Sequence, residues 1–223
     1  MKGRNVALII LLIVLADQAF KIYIKTHYAI NDQTFLVGKW ARLLFVENEG
    51  MAYGMSFGGN FGKIILTLFR FAAVIFGVWY LGNIIKKKYH RGFIFCAALI
   101  FSGALGNLID SMFYGLIFEE STQSHVAAMF PEHGYAGFLH GKVVDMLYFP
   151  IIRDATFPNW VPFWGGQDFE FFRPIFNLAD AAISSGVIAI LLFQKKFFKH
   201  PIDDPKHPTV ETEALENDKV QVQ

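Results

Sequence analysis

The chain has 223 residues, of which 54% are hydrophobic and 17% charged, and its mean hydropathy is +0.37. This composition is more apolar than that of an ordinary soluble domain and directs attention to membrane-spanning segments. The formal net charge of +1 indicates neither a nucleic-acid partner nor an acidic one. The single cysteine, Cys96, excludes an intrachain disulfide.

Four near-continuous apolar runs are long enough to cross a membrane. A spanning helix needs roughly 20 mostly apolar residues, because the hydrocarbon layer is about 30 Å thick. The runs that meet this requirement are residues 6–23, 64–85, 92–109 and 175–193. We therefore predict an all-α membrane protein with four transmembrane helices and a small β element, forming one integral-membrane domain over residues 1–200.

Positive charges lie unevenly around these runs. They precede the first run, fill the connection between the second and third, and follow the fourth: Lys2, Arg4, Lys86, Lys87, Lys88, Arg91, Lys195, Lys196 and Lys199. The positive-inside rule then predicts that both termini and the short connection face the cytoplasm. The two long connections, residues 24–63 and 110–174, are expected on the opposite side.

The two outer connections and the C-terminal tail differ in character. Residues 34–37 and 43–46 are rich in β-forming side chains and are followed by glycines, which favours a small sheet at the outer membrane surface. The connection 110–174 carries many aromatic residues and is expected to rest on the bilayer interface. Residues 201–223 are acidic and poor in aromatics, which predicts a disordered cytoplasmic tail.

Three aspartates, Asp17, Asp110 and Asp180, lie within or at the end of predicted spans. An ionisable side chain in a bilayer costs at least ~2.5 to 3.5 kcal/mol on insertion scales, so each one marks a candidate functional site. The predicted topology puts all three at the outer ends of their helices. Asp145, in an apolar stretch of the outer loop, is expected to reach the same level.

These carboxylates suggest a chemistry but do not identify the reacting pair. Carboxylates that cluster in a low-dielectric site cannot all ionise, and a pair sharing one proton activates water in aspartic proteases. Four aspartates allow six pairings, and their spacing does not choose among them. A structural role as a helix cap, an interhelical hydrogen bond or a lysine pair is an equal alternative for each.

Other polar residues fall on the same helix faces. Lys21 stands four residues after Asp17, which favours a structural ion pair that reduces the cost of burying either charge. Asn107 and Asn177 each precede an aspartate by three residues and therefore share its helix face. Their amides are expected to orient a carboxylate or to bind a substrate backbone.

At these residues the chain resembles the lipoprotein signal peptidase family. Five motifs occur in the family's order: D-Q-x-x-K at 17–21, N-x-G-x-A-F-G at 48–54 with Tyr53 for phenylalanine, G-A-L-G-N-L-I-D at 103–110, V-V-D at 143–145 and F-N-x-A-D at 176–180. Any one motif is weak evidence. Their shared order on a four-helix topology makes the resemblance specific over residues 6–193.

The resemblance implies an intramembrane aspartic endopeptidase whose catalytic dyad is Asp145 and Asp180. Such an enzyme removes the signal peptide of diacylglyceryl-modified prolipoproteins, cutting just before the lipidated cysteine on the outer face of the bacterial inner membrane. The resemblance implies no metal, organic cofactor or obligate protein partner. Substrate-binding or dyad-supporting roles fall to Asn48, Gly50, Gly54, Gly103, Asn107, Asp110, Asn177 and Ala179.

The chain departs from the family pattern in the outer half. Ser111 stands where the family has an arginine that is expected to hold the substrate backbone, Met146 replaces a phenylalanine, and the outer loop is longer than usual. Arg173, close to the last predicted helix, is expected to contact substrate in place of that arginine, with Arg153 as the second choice.

Two other classes of protein fit parts of the pattern. A small ion- or proton-coupled transporter would line its path with Asp17, Lys21, Asp110 and Asp180, and a non-catalytic membrane scaffold would use them as structural pairs. The charges collect at one outer level and no inverted repeat is visible in the sequence, which disfavours the transporter. The loop histidines at 125, 133 and 140 match no closed zinc motif.

Overall fold

A computed structural model gives the fold of the chain. It describes residues 1–38, 40–49, 59–150, 152–171 and 173–198, with side chains for all of these except 59–60, 152–154 and 168–171. Gly50, Gly54 and the predicted tail at 201–223 lie outside the described residues.

Four long helices make up most of the described chain. They are α1 (Gly3–His27), α2 (Gly59–Lys86), α3 (Arg91–Ile117) and α4 (Leu178–Phe197). Each is long and apolar enough to cross a membrane, which confirms the predicted number of spans. α3 is the central helix, because it packs against α1, α2 and α4.

The first and third helices extend well beyond their apolar runs. α1 continues to His27 and α3 to Ile117, so Asp17 and Asp110 lie inside helices and not near their ends. The sequence-based boundaries were wrong here because hydropathy follows the apolar run alone. The extra turns carry Ile24 and Tyr114, which are buried in one core with Phe45 and Val144 and stabilise helix beyond the run.

The start of the fourth helix is also corrected. Residues Ile175–Phe176, predicted as helix, form strand β6, and α4 begins at Leu178. Asn177 is the N-cap: its Oδ1 accepts a hydrogen bond from the Asp180 N–H at 2.9 Å, and Asp180 Oδ2 accepts one from the Asn177 N–H at 3.3 Å. This reciprocal capping box ends the strand and starts the helix.

A four-stranded antiparallel sheet joins the two long connections. Besides β6, the strands are β1 (Gln33–Val37), β2 (Ala41–Asn48), β3 (Val143–Tyr148), β4 (Ile152–Thr156) and β5 (Asp168–Phe171). The order in the sheet is β1–β2–β3–β6, and β4 and β5 form a separate antiparallel pair. The two strands expected in the first connection are present, but Asp145, expected in a loop, lies in β3.

Close packing holds the sheet and α4 against α3. Phe45 of β2 and Val144 and Met146 of β3 are fully buried in a core with the C-terminal turns of α1 and α3. A Cβ added at Gly103 would overlap the Ala179 carbonyl oxygen, so α3 and α4 approach closely only because this position has no side chain. The first turn of α4 is thereby held beside α3 at Gly103.

Candidate active site

Asp145 and Asp180 come from different elements and are joined by one buried asparagine. The Nδ2 of Asn177 donates a hydrogen bond to Asp145 Oδ1 at 2.7 Å, and its backbone N–H donates to Asp180 Oδ2 at 3.3 Å. Asn177 is fully buried, and it lies directly between the strand that pairs with β3 and the first turn of α4. The β6–α4 junction therefore brings the two carboxylates into one site.

Two further asparagines donate hydrogen bonds to the carboxylates of Asp145 and Asp180. Asn107 Nδ2 donates to Asp180 Oδ1 at 2.9 Å, and Asn48 Nδ2 donates to Asp145 Oδ2 at 3.3 Å. Each carboxylate thus accepts hydrogen bonds on both of its oxygens. Asp145 is only 4% exposed, whereas Asp180 is half-buried. The more accessible carboxylate is the one on the helix.

Burial controls the protonation of Asp145. Desolvation is the main cause that raises its pKa from the ordinary range to about 7, and the nearby carboxylate of Asp180 raises the pKa as well. Hydrogen bonds from Asn48 and Asn177 act in the opposite direction because they stabilise the ionised form. A carboxyl with this pKa exchanges its proton near neutral pH, as general acid–base catalysis requires.

A second cluster lies beside the first and is neutralised by lysine. Lys21 Nζ is 2.7 Å from Asp110 Oδ2 and 3.0 Å from Asp17 Oδ2, and all three residues are almost completely buried. Lys21 also donates to Asn107 Oδ1 at 2.8 Å. The expected Asp17–Lys21 contact is therefore present, with Asp110 as a second partner that spacing alone did not indicate.

The supporting aspartates anchor the backbone next to the candidate pair. Asp17 Oδ1 accepts a hydrogen bond from the Ala179 N–H at 2.9 Å, one residue before Asp180. Asp110 Oδ2 accepts one from the Val144 N–H at 3.5 Å, one residue before Asp145. Each buried aspartate thus orients the chain that carries one of the two candidate carboxylates.

Three further side chains contribute to the site, although the sequence alone assigned a role to none of them. Gln18 Nε2 donates to Asp110 Oδ1 at 2.8 Å, and Tyr114 Oη donates to Gln18 Oε1 at 3.2 Å. Arg70 of α2 lies beside Ser111, with Nη1 2.8 Å from Oγ. Arg70 carried a usable signal, because it is an ionisable residue inside a spanning run, the same criterion that identified the aspartates.

Of the two arginines predicted to contact substrate, the structure describes the side chain of one. Arg173 is exposed between β5 and β6, and its contact with substrate stays a prediction. The side chain of Arg153 lies outside the described residues.

Comparison with known proteins settles the family. The family model for signal peptidase (SPase) II matches residues 9–196. The chain belongs to the signal peptidase II family. A lipoprotein signal peptidase of Porphyromonas gingivalis is 44% identical over 193 residues, covering 86% of this chain and 83% of the relative. That of Amoebophilus asiaticus is 34% identical over 197 residues, covering 87% and 79%.

Two solved structures share the fold of this chain. A bacterial membrane enzyme determined by the in meso method at 2.3 Å resolution superposes with a TM-score of 0.58 at 23% identity, covering 90% of this chain and 94% of that one. A second, determined at 1.9 Å, gives a TM-score of 0.56 at 26% identity, covering 87% and 94%. The predicted membership of the signal peptidase II family is confirmed, and the protein is a membrane peptidase.

Proposed function

We propose that this signal peptidase II is an aspartic endopeptidase with Asp145 and Asp180 as its dyad. Its proposed reaction is removal of the signal peptide from diacylglyceryl-modified prolipoproteins, with cleavage just before the lipidated cysteine. The observation that carries the dyad is Asn177, which donates to a carboxylate oxygen of both residues. The names of the lipoprotein signal peptidases it resembles support the class of substrate.

The two carboxyl groups divide the proton transfers of hydrolysis between them. With its pKa raised to about 7, Asp145 is the partner that holds the proton in the resting dyad. Asp180 takes a proton from water as the water oxygen attacks the scissile carbonyl carbon, and the carbonyl oxygen takes the proton of Asp145. The resulting tetrahedral diol is neutral.

Collapse of the diol then restores the dyad. The leaving nitrogen takes the proton held by Asp180 as the C–N bond breaks, and one hydroxyl proton of the diol returns to Asp145. The products are a carboxylic acid and an amine, and the dyad again holds one proton. No covalent enzyme intermediate is needed, which agrees with the general acid–base chemistry of paired aspartates.

The buried ion cluster supports this choice of pair. Lys21 Nζ lies within 3.0 Å of a carboxylate oxygen of both Asp17 and Asp110, so these two carboxylates are the partners of a buried lysine. They have a structural task in compensating its charge. Asp145 and Asp180 instead accept their hydrogen bonds from neutral amides, which leaves the dyad free to share a proton.

The proposed topology places the dyad on the extracytoplasmic side of the inner membrane. Asp180 lies in the first turn of α4, whereas Lys195 and Lys196 lie in its last turn. The other basic connection joins the end of α2 at Lys86 to the start of α3 at Arg91. With these basic ends in the cytoplasm, the sheet and the dyad face outward, and a lipid-modified substrate reaches them laterally from the bilayer.

Cleavage of a lipidated precursor by the purified protein in detergent tests the proposal. The same precursor without the diacylglyceryl group is the matched substrate control, and mass spectrometry locates the cut. Asp145→Asn and Asp180→Asn should each reduce turnover by roughly 100-fold or more, because an amide cannot accept a proton from water. Both variants should keep a cooperative thermal transition.

Turnover above a few per cent in either folded variant would exclude that residue from the dyad. Equal cleavage of the precursors with and without the diacylglyceryl group would exclude the proposed substrate class. If folded wild-type protein cleaved neither precursor, the proposed reaction would be wrong.

A further inference from the structure

Helix α2 places a guanidinium beside the carboxylates. Arg70 is half-buried, and its Nη1 lies 2.8 Å from Ser111 Oγ on α3. Ser111 in turn donates to the Asn107 carbonyl oxygen at 2.9 Å, one turn earlier. Asn107 is the residue whose side chain bonds Asp180. The guanidinium is therefore adjacent to the part of α3 that supports the dyad.

The backbone that carries Arg70 is held in this position. Thr67, nearly one turn before Arg70, is buried, and its Oγ1 hydroxyl is shared between the carbonyl oxygens of Lys63 at 2.9 Å and Leu139 at 3.2 Å. The Leu139 N–H donates to the Met112 carbonyl oxygen at 3.2 Å. Helix α2 is thus linked through the outer loop to α3 at the level of Ser111, which fixes where the arginine can reach.

The charge of Arg70 acts on the site. The guanidinium is close enough for Coulombic attraction to three carboxylates, those of Asp110, Asp180 and Asp145. The hydrogen bonds described for Asp145 and Asp180 come from Asn48, Asn107 and Asn177. An arginine within a spanning helix is costly to insert into a bilayer, and such residues face the interior of the protein or a polar path.

The proposed reaction requires a donor at this place. A lipid-modified peptide must lie extended beside the dyad with its carbonyl oxygens held before water attacks. The planar fork of arginine carries five N–H donors and suits this task, because it can bond neighbouring acceptors at the same time. Ser111, with a single hydroxyl that already donates to Asn107, cannot provide such a fork.

We propose that Arg70 is a substrate-binding residue that holds backbone carbonyl oxygens of the precursor peptide beside Asp145 and Asp180. The inference rests on the proposed function and names the group that positions its substrate. It assigns to α2 a direct role in the reaction in addition to its place on the outside of α3.

An exchange of side chains across the Arg70–Ser111 contact tests the assignment. Arg70→Ser removes the guanidinium, and Arg70→Ser combined with Ser111→Arg returns it from α3 into the space just vacated. Arg91→Ser is the matched control, because Arg91 is exposed at the opposite end of α3. Thermal unfolding is recorded for every variant, and kcat and KM are measured on the lipidated precursor.

We expect Arg70→Ser to lower kcat/KM by about ten-fold or more, with a rise in KM, because a charge-assisted hydrogen bond to substrate is lost. The exchange variant should recover to within about three-fold of wild type, and Arg91→Ser should match wild type. A purely structural role would change the unfolding temperature without raising KM in the folded fraction.

Wild-type kcat and KM in folded Arg70→Ser would overturn the assignment, as would a folded exchange variant without recovery. If Arg70→Ser did not fold, Arg70→Lys would decide: it keeps the charge but lacks the fork, and an unchanged KM would refute the proposal. Failure of wild type to cleave the precursor would instead refute the proposed function.

Discussion

Asn177 donates a hydrogen bond from Nδ2 to Oδ1 of Asp145 over 2.7 Å, across the junction between strand and helix. Its Oδ1 accepts from the Asp180 N–H at 2.9 Å and so caps α4. One side chain therefore performs a structural task with its oxygen and an electrostatic task with its nitrogen. The two tasks are separable by substitution.

Asn177→Ser should keep the cap but lose the donor to Asp145. A serine oxygen is a good N-cap acceptor, so the unfolding temperature should fall less than in Asn177→Ala, which loses about 1 kcal/mol of capping as well. Turnover should fall by about ten-fold or more in both variants, because the dyad loses a charge-stabilising hydrogen bond. Calorimetry and precursor cleavage on the same preparations measure the two effects. Equal stability of the serine and alanine variants would contradict the capping role.

Asn48→Ala should shift the pH dependence of cleavage. The Asn48 amide donates to Asp145 Oδ2 and thereby lowers the pKa of this carboxyl, so its loss should raise the pKa above about 7. The dyad would then keep its shared proton to higher pH. We expect the pH at which kcat/KM falls on the alkaline side to be higher than in wild type by roughly half a pH unit or more. If this pH were unchanged or lower in the variant, Asn48 would not act on the dyad.

The membrane-spanning helices were predictable because their signal is local. Twenty consecutive apolar residues have few alternatives to a spanning helix, and all four runs became helices. The helix ends were not predictable, since they depend on distant partners. α3 runs seven residues beyond Asp110 because Tyr114 and Phe118 pack against a sheet whose strands come from both long connections.

The acidic residues of the site were found from sequence, but their contacts were not. An aspartate in an apolar run is conspicuous, whereas its partners depend on how α1, α3 and α4 pack. Spacing indicated Lys21 as a partner of Asp17, yet the shorter contact is to Asp110, 89 residues away in sequence. Strand β6 escaped prediction because two residues cannot show a period, and only the pairing of Ile175 and Phe176 with β3 defines it.

Asp145→Asn should stabilise the protein at alkaline pH while abolishing cleavage. The folded-state pKa of Asp145 is raised to about 7, so ionisation opposes folding. The carboxyl favours the folded state below its unfolded pKa near 4, and this contribution is lost as pH rises through about 7. Asparagine does not ionise, so its free energy of unfolding has no such loss. Between about pH 4 and pH 8, the free energy of unfolding of the variant should rise relative to that of wild type by on the order of 2 to 4 kcal/mol. Parallel unfolding curves for the two proteins across this window would refute the raised pKa.

Removal of Lys21 should be more damaging than removal of either carboxylate. Lys21→Met leaves Asp17 and Asp110 buried without their counter-charge, a loss of about 3 to 5 kcal/mol for breaking a buried pair. Asp17→Asn and Asp110→Asn each leave the lysine one acidic partner, and both should keep partial turnover with a smaller drop in unfolding temperature. Adding both asparagines to Lys21→Met should restore much of the stability, because no buried charge is then unpaired. Complete loss of turnover in Asp110→Asn at unchanged stability would instead move Asp110 into the dyad.

Gly103→Ala should displace the helix that carries Asp180. An added Cβ would overlap the Ala179 carbonyl oxygen and lie 2.6 Å from Ile183 Cγ1, and a backbone oxygen in the first turn of α4 cannot move without shifting that turn. Overpacking of this kind costs about 1 to 3 kcal/mol, and a misplacement near 1 Å can cost roughly 100-fold in rate. Gly82→Ala is the matched control, since Gly82 lies in α2 with no atom within 4 Å of the new methyl group. The control should keep wild-type turnover and gain up to about 1 kcal/mol from helix propensity. Unchanged kcat and unfolding temperature in Gly103→Ala would mean that the close approach of α3 and α4 does not position the dyad.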